Sequence, residues 1–101
     1  MKVRWTPRAL DDLKAIARYI AEDDPVAARA FAARLKDRAE SVAQFPMRGR
    51  VMPEMGRADV RELIEGNYRI VYRVLDDACD VLTLFEGHKR FDGLKPRRQP
   101  G

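Results

Sequence analysis

The chain has 101 residues, of which 46% are hydrophobic and 36% are charged, so its composition predicts one domain built around one core. No stretch approaches the roughly 20 consecutive apolar residues that cross a bilayer. Lys2 and Arg4 do not fit the apolar core of an export signal, so we expect a cytoplasmic protein with no membrane partner. Cys79 is the only cysteine, which excludes an internal disulfide, and its apolar surroundings predict a buried thiol.

Positive charge is concentrated at the C-terminal end. The formal net charge is +4, from 20 basic and 16 acidic residues, and the segment from His88 onward carries five basic residues against Asp92 alone. That segment accounts for the whole excess of charge. We expect residues 1–92 to form the domain and residues 93–101 to form a basic, flexible tail. Charge this local does not by itself indicate nucleic-acid binding, which usually needs a broader basic face.

The first two predicted elements are a short strand and a helix. Polar and apolar residues alternate over positions 2–5, as in a strand. Thr6 is a good helix N-cap, and Pro7 suits the first helical position. Asp11 and Asp12 are expected on the polar side of a helix that runs to about residue 22. Its apolar stripe consists of Ala9, Leu10, Leu13, Ile16, Ala17 and Ile20.

A second helix is predicted to turn back on the first. Asp24 and Pro25 repeat the start signal after only a few residues, so the two helices must form an antiparallel hairpin. Pro46 ends the helical pattern. The apolar line of this helix runs through Ala28, Phe31, Leu35, Ala39 and Val42 towards Phe45.

Residues 46–59 are predicted to form a long loop, because prolines and glycines interrupt any periodicity there. The loop carries Arg48, Arg50 and Arg57. Three segments with strand character follow, at residues 60–65, 68–75 and 79–87, and the two separators are short enough for hairpins. Consecutive strands joined in this way predict an antiparallel meander.

The two faces of the central strand differ in character. Tyr68, Ile70, Tyr72 and Val74 alternate with Arg69, Val71, Arg73 and Leu75. We expect the helical hairpin to cover the tyrosine face. The face with Arg69 and Arg73 is then predicted to be the floor of an open basic hollow, rimmed by the loop and the tail.

Seven groups of residues stand in a familiar order. They are WTPRALDDL at 5–13, IARYI and AEDDP at 16–25, FP and GR at 45–50, PEMG at 53–56, VREL at 60–63, YRIVYR at 68–73 and HKR at 88–90. In this order and spacing they resemble the RelE/ParE toxins, and the ParE branch in particular, over about residues 3–91. The resemblance implies an α+β fold with an N-terminal strand, an antiparallel helical hairpin and a three-stranded antiparallel meander, in agreement with the elements above.

The resemblance also implies a function, namely the toxin of a type II toxin–antitoxin system. ParE-like members poison DNA gyrase by direct binding, whereas RelE-like members cleave messenger RNA on the ribosome. Both are neutralised by an antitoxin in a hetero-oligomer. We expect a gyrase inhibitor, with a ribosome-dependent endonuclease as the alternative and a non-toxic interaction module of the same fold as the second alternative. No cofactor or metal is expected, because one cysteine and one histidine cannot build a zinc site.

A metal-independent ribonuclease would need groups for proton transfer and cations for the developing phosphorane charge. The candidates for proton transfer are His88, Glu62 and Glu86, and those for charge are Arg61, Arg73 and Arg90. Tyr68 and Tyr72 are better explained as core residues by their alternation with Ile70 and Val74. The nuclease set is therefore incomplete, and an enzyme is the less favoured interpretation.

Binding of the target or the antitoxin has a wider basis in the sequence. The outer strand of the meander and the N-terminal strand should present edges for strand addition. An acidic antitoxin segment would find anchors among the arginines. The candidate binding residues are Arg48, Arg50, Arg57, Arg61, Arg69, Arg73, His88, Lys89 and Arg90.

Overall fold

The computed structural model describes residues 1–88, so the predictions for Lys89, Arg90 and the tail lie outside the described residues. Thr6 and Asp24 cap the two helices as predicted, accepting hydrogen bonds from the amides of Ala9 and Ala27 at 3.1 and 3.0 Å. Within residues 1–88, neither helix combines the length and apolarity needed to cross a membrane. The elements in chain order are β1 (Lys2–Trp5), α1 (Pro7–Ala21), α2 (Pro25–Glu40), a 3₁₀ helix (Ser41–Ala43), β2 (Arg50–Val51), β3 (Val60–Glu65), β4 (Tyr68–Val74) and β5 (Ala78–Glu86).

A five-stranded sheet in the order β1-β5-β4-β3-β2 is the frame of the molecule. β3, β4 and β5 form the antiparallel meander, and β1 lies parallel to β5 with Val3 opposite Cys79. Parallel neighbours cannot be joined by a tight turn, which is consistent with the long stretch of chain between β1 and β5. The predicted α+β fold is confirmed.

β2 was not predicted, because two residues carry too little periodicity to mark a strand. It pairs antiparallel with the start of β3, where Arg50 lies opposite Glu62. The outer strand of the meander is therefore partly covered, and the edges of the sheet are β1 and β2. Among residues 1–88, β1 is an edge strand as expected, whereas the expectation of an open edge is wrong for the part of β3 that β2 covers.

The side of the sheet that carries Tyr68, Ile70 and Tyr72, which we call the helix face, holds the main core. The hairpin of α1 and α2 packs on it as predicted, and the Cys79 thiol is fully buried there, which raises its pKa. Both tyrosines serve the core, as their alternation indicated. The buried members of this core are Ala9, Ile16, Leu35, Ala39, Val42, Leu63, Tyr68, Ile70, Tyr72, Cys79, Val81 and Leu84.

Two positions of α1 differ from the prediction. Leu10, assigned to the apolar stripe, is 42% exposed, whereas Asp12, assigned to the polar side, is 1% exposed. Asp12 accepts hydrogen bonds from the Thr83 hydroxyl and, at 3.1 Å, from the Leu84 amide, so it joins α1 to β5. Its spacing from Ala9 and Ile16 already placed it on the buried side, and its charge obscured that signal.

The opposite side of the sheet, which we call the loop face, carries a smaller apolar cluster. Met52, Val60 and Val71 are buried there, with Met55, Leu82 and Phe85 packed against them. The segment that follows β2 lies on this face, since Met52 and Met55 belong to the cluster. It forms a turn in which the amides of Met55 and Gly56 both donate to the Met52 carbonyl. Gly56 closes this turn at φ +61°, a conformation that favours glycine.

Candidate partner-binding site

A buried arginine organises the loop face. Arg69 is 7% exposed, and its guanidinium is bonded to two carboxylates. It donates to both oxygens of Glu54 at 2.6 and 2.7 Å, and its Nε donates to Glu62 at 2.7 Å. Its Cζ also lies 5.0 Å from the centre of the Phe85 ring. These contacts compensate the charge, as burial of an ion requires.

Glu62 links this arginine to the surface. Its carboxylate is 1% exposed and accepts from Arg69 on one oxygen and from the Nε of Arg50, at 2.6 Å, on the other. The Arg50 side chain is 63% exposed. Both oxygens of Glu62, a sequence candidate for proton transfer, are therefore already occupied by guanidinium groups.

The charges of this network shift the acidity of its members. The hydrogen bond from Arg69 lowers the pKa of Glu54 from 4.5 to about 2. The same hydrogen bond raises the pKa of Arg69 above the usual value of a guanidinium group. Arg69 and Glu54 therefore remain ionised at neutral pH.

The predicted open basic hollow is wrong at Arg69. The 52–56 segment lies across the loop face and supplies Glu54, so this guanidinium is covered and neutralised. The sequence placed Arg69 on the correct face of β4. It did not reveal that a carboxylate 15 residues earlier in the chain would close over it.

An exposed group of arginines lies further along the loop face. Arg73 and Arg57 are 46% and 53% exposed, and both bind Asp59, at 3.1 and 2.8 Å. The Arg57 hydrogen bonds lower the pKa of Asp59. Arg4 of β1 extends this group, since it binds Asp80, which lies opposite both Arg4 and Arg73 in the sheet. We call Arg4, Arg57 and Arg73 the arginine row.

Arg4 was missed by the sequence analysis. Nothing local connects residue 4 with residue 73, and the two share a surface only because β1 lies beside β5. The row pairs three arginines with two aspartates, and the negative charge of Asp77 also acts on Arg4.

The nuclease candidates within residues 1–88 are dispersed. Arg61 lies opposite Tyr72, and therefore on the other side of the sheet from Arg73, where it donates to the carbonyls of Gly49 and Ala58. His88 is 73% exposed and lies 3.1 Å from Glu86, beyond the far end of β5. Tyr68 lies opposite Glu86, and therefore at the end of β4 that is nearer to His88. Arg73 is at the other end of β4, roughly 16 Å from Tyr68 at about 3.3 Å per residue. Arg73 and His88 therefore do not come together, although their strands are neighbours.

A second exposed feature is the segment of residues 45–51, which consists of the turn before β2 and β2 itself. We call it the tip loop. The buried Tyr72 hydroxyl donates to the Pro46 carbonyl at 2.7 Å and accepts from the Gly49 amide at 2.8 Å. A side chain at Gly49 would meet the Glu62 carbonyl oxygen at 2.5 Å, so only glycine permits this approach. The Tyr72 hydroxyl therefore holds the backbone of the tip loop at Pro46 and Gly49.

The side chains of the tip loop point outward. Phe45 and Met47 are 56% and 57% exposed, and Val51 is 37% exposed. Arg48 covers Phe45, with its Cζ 5.1 Å from the ring centre. The predicted apolar line of α2 was wrong at Phe45, because α2 ends at Glu40 and the 3₁₀ helix turns the chain away from the core.

An apolar groove lies on the other side of the molecule, beside the helical hairpin. It has a volume of about 630 Å³ and is lined in part by Tyr19, Phe31 and Tyr68. The ring centres of Phe31 and Tyr68 are 5.5 Å apart, and Tyr19 is 64% exposed. The molecule thus presents a concave apolar surface here and exposed apolar side chains at the tip loop.

Comparisons with known proteins agree with this architecture. Residues 3–91 match the family described as the ParE toxin of type II toxin-antitoxin system, parDE. Toxin RelE2 of Caulobacter vibrioides is 42% identical over 84 residues, which are 82% of this chain and 91% of the relative. Putative toxin Y4kP of Sinorhizobium fredii is 37% identical over 93 residues, 89% of this chain and 92% of the relative.

Solved structures share the fold. The chromosomal ParDE TA system from P. aeruginosa contains a chain that is 24% identical, with a TM-score of 0.71 over 85% of this chain and 95% of that one. The toxin-antitoxin complex RelBE2 from Mycobacterium tuberculosis contains another, 23% identical, with a TM-score of 0.60 over 84% and 95%. With the family matched from residue 3 to residue 91 and two relatives above 30% identity, this chain belongs to the ParE toxin family of type II toxin–antitoxin systems.

Proposed function

We propose that this toxin acts in the cytoplasm by binding DNA gyrase and blocking its activity, and that a cognate antitoxin neutralises it. The observation that carries the proposal is the dispersal of the nuclease candidates. Arg61, Arg73 and His88 lie on two sides and at two ends of the sheet, so they cannot surround one phosphate. A toxin that works by binding needs no such convergence. Membership of the ParE family supports gyrase as the target.

Ribosome-dependent cleavage of messenger RNA is the second candidate. The name of the 42% identical relative, Toxin RelE2, favours it. Against it stands the engagement of Glu62 by two arginines, which removes a carboxylate from service as a base. General acid–base catalysis requires a group within hydrogen-bonding reach of the reacting proton.

Two assays on the same protein separate these activities. Purified toxin is added to gyrase and relaxed plasmid, and supercoiling is followed; in parallel, transcripts are mapped after expression of the toxin in cells. We expect supercoiling to fail, transcripts to remain whole, and prior addition of the antitoxin to restore supercoiling. Cut transcripts with unimpaired supercoiling would establish the endonuclease. Normal growth with neither effect would establish the non-toxic module.

An antitoxin partner follows from membership of a type II toxin family, and we propose the arginine row as its electrostatic anchor. The three arginines of the row are about half exposed, so an acidic segment can approach them without displacing a buried ion. Arg69 is not part of this anchor, because its charge is already satisfied by Glu54 and Glu62. Charged groups at the rim of an interface mainly set the association rate and its dependence on salt.

The double variant Arg57→Gln/Arg73→Gln tests this anchor. We expect slower association with the antitoxin and a weaker dependence of the rate on ionic strength, measured by surface plasmon resonance. Arg18→Gln/Arg29→Gln is the matched control, since it also removes two positive charges, at exposed positions of α1 and α2. Equal salt dependence in the wild type and the double variant would remove the arginine row from the antitoxin interface.

A further inference from the structure

The tip loop exposes apolar side chains on a backbone that several hydrogen bonds hold in place. Phe45 and Met47 are more than half exposed, although the fully buried Val42 lies only three residues before Phe45. Exposed apolar residues that cluster on a soluble domain commonly mark a surface that binds another protein. The tip loop therefore requires an explanation that the nuclease and antitoxin hypotheses do not supply.

Several contacts hold this loop in place. Tyr72 bonds both the Pro46 carbonyl and the Gly49 amide, and the Arg61 guanidinium donates to the Gly49 carbonyl at 2.9 Å. The Arg48 amide closes a turn on the Phe45 carbonyl at 2.9 Å. A surface that is ordered before binding loses little conformational entropy when it binds.

The chemistry of the loop defines its partner. Residues 41–53 contain Arg48 and Arg50 and no carboxylate. Aromatic residues, methionine and arginine are the types enriched at the centres of protein interfaces. A projecting loop of this kind inserts into a depression of a large folded protein, whereas an extended or helical antitoxin segment needs a concave surface to receive it.

We propose that the tip loop is the surface by which the toxin binds its protein target, with Phe45 and Met47 entering an apolar depression and Arg48 meeting a carboxylate at its rim. This inference rests on the proposed function, in that the toxin acts by binding rather than by cutting RNA. Tyr72 is a positioning residue, because it holds the loop from beneath and is itself buried.

The test compares two double variants that remove similar amounts of exposed apolar surface. Phe45→Ser/Met47→Ser alters the tip loop, and Leu10→Ser/Val26→Ser alters side chains that are 42% and 67% exposed on the helices. Each is assayed for growth arrest on expression without antitoxin, for inhibition of supercoiling, and for antitoxin affinity by calorimetry.

We expect the tip variant to lose growth arrest and to need at least about tenfold more protein for half-inhibition of supercoiling, as for interface hot spots. Its antitoxin affinity should stay within about twofold of the wild type, and the helix variant should resemble the wild type in all three assays. Arg48→Glu should reproduce the loss of growth arrest without changing the apolar surface.

Growth arrest by the tip variant at wild-type strength would overturn the inference. A tenfold loss of antitoxin affinity with an unchanged thermal midpoint would also overturn it, because the tip loop would then belong to the antitoxin interface. If wild-type toxin arrests growth without inhibiting supercoiling, the gyrase proposal fails, and the growth-arrest arm still decides whether the tip loop is the target-binding surface.

Discussion

The two faces of the sheet are buried in different ways. On the helix face, Ile70 and Tyr72 pack against α1 and α2 in a mainly apolar core, where the buried Asp12 is hydrogen-bonded to β5. On the loop face, one residue along the same strand, Arg69 is buried against two carboxylates beneath the 52–56 segment. Burial of an apolar side chain requires only that something cover it. Burial of a charge also requires a specific partner at a specific distance.

This difference has a functional meaning. The apolar face can tolerate exchanges among residues of similar volume, whereas the loop face depends on particular pairs. Of the surfaces proposed for partner binding, the arginine row lies on the loop face, whereas the tip loop is anchored by Tyr72 and Arg61 of the helix face. The four substitutions below test this contrast, beginning with the largest expected effect.

Arg69→Leu should destabilise the protein most. It removes one of the two guanidinium partners of the buried Glu62, and removing one partner of a buried ion pair costs about 3–5 kcal/mol in the free energy of unfolding. The measurement is urea denaturation at neutral pH. The double variant Glu62→Leu/Arg69→Leu should recover part of this loss, because it also removes the buried carboxylate. A double variant less stable than Arg69→Leu would show that packing rather than charge explains the effect.

Leu35→Ala probes the helix face. Leu35 of α2 is 0% exposed in the main core, and its truncation should lower the free energy of unfolding by about 3 kcal/mol through lost transfer energy and a cavity. Leu10→Ala is the control, since Leu10 is 42% exposed on α1 and its truncation should change the stability by less than about 1 kcal/mol. Equal losses in the two variants would contradict the assigned core. Unlike Arg69→Leu, the Leu35 loss should be nearly independent of salt.

Tyr72→Phe separates the two roles of one side chain. The ring stays in the core, while the Gly49 amide and the Pro46 carbonyl each lose a partner, which should cost about 1–2 kcal/mol. Hydrogen exchange at the Gly49 amide should accelerate, since that group is held by the tyrosine hydroxyl. Unchanged protection at Gly49 would show that the tip loop is fixed by other contacts.

Glu54→Gln should have the smallest effect of the four, and this effect should depend on pH. The pKa of Glu54 falls from 4.5 to about 2 on folding, so its contribution to stability is present above pH 4.5 and is lost as the pH falls towards 2. Since the side chain is 36% exposed, solvent reduces the contribution. The urea midpoint of the wild type should therefore fall more steeply from pH 6 to pH 3 than that of Glu54→Gln. Parallel profiles would contradict the assignment.

Much of the fold was predictable because its signals are local. Thr6 with Pro7, and Asp24 with Pro25, marked the two helix starts, and short separators marked the hairpins of the meander. The alternation along β4 also placed Tyr68 and Tyr72 on the helix face correctly. Failures within α1 came from a residue whose charge contradicted its position, namely Asp12.

The candidate site was less predictable, because its partners are distant in the chain. Arg69 and Glu54 are 15 residues apart, and Arg4 and Asp80 are 76 residues apart. The exposure of Phe45 depended on where α2 gives way to the 3₁₀ helix. No periodic pattern reports such events, since each depends on how two separate segments meet.

The amino-acid sequence by itself determined the order of the elements, the inner face of the central strand and the family resemblance, because capping, turn formation and periodicity act between neighbours in the chain. The tertiary structure alone decided the place of β1 beside β5, the covering of Arg69 and the exposure of the tip loop. The physical reason is that an arginine side chain is compatible with either an open surface or a buried ion pair. Which of the two it occupies depends on whether folding brings a carboxylate within hydrogen-bonding distance.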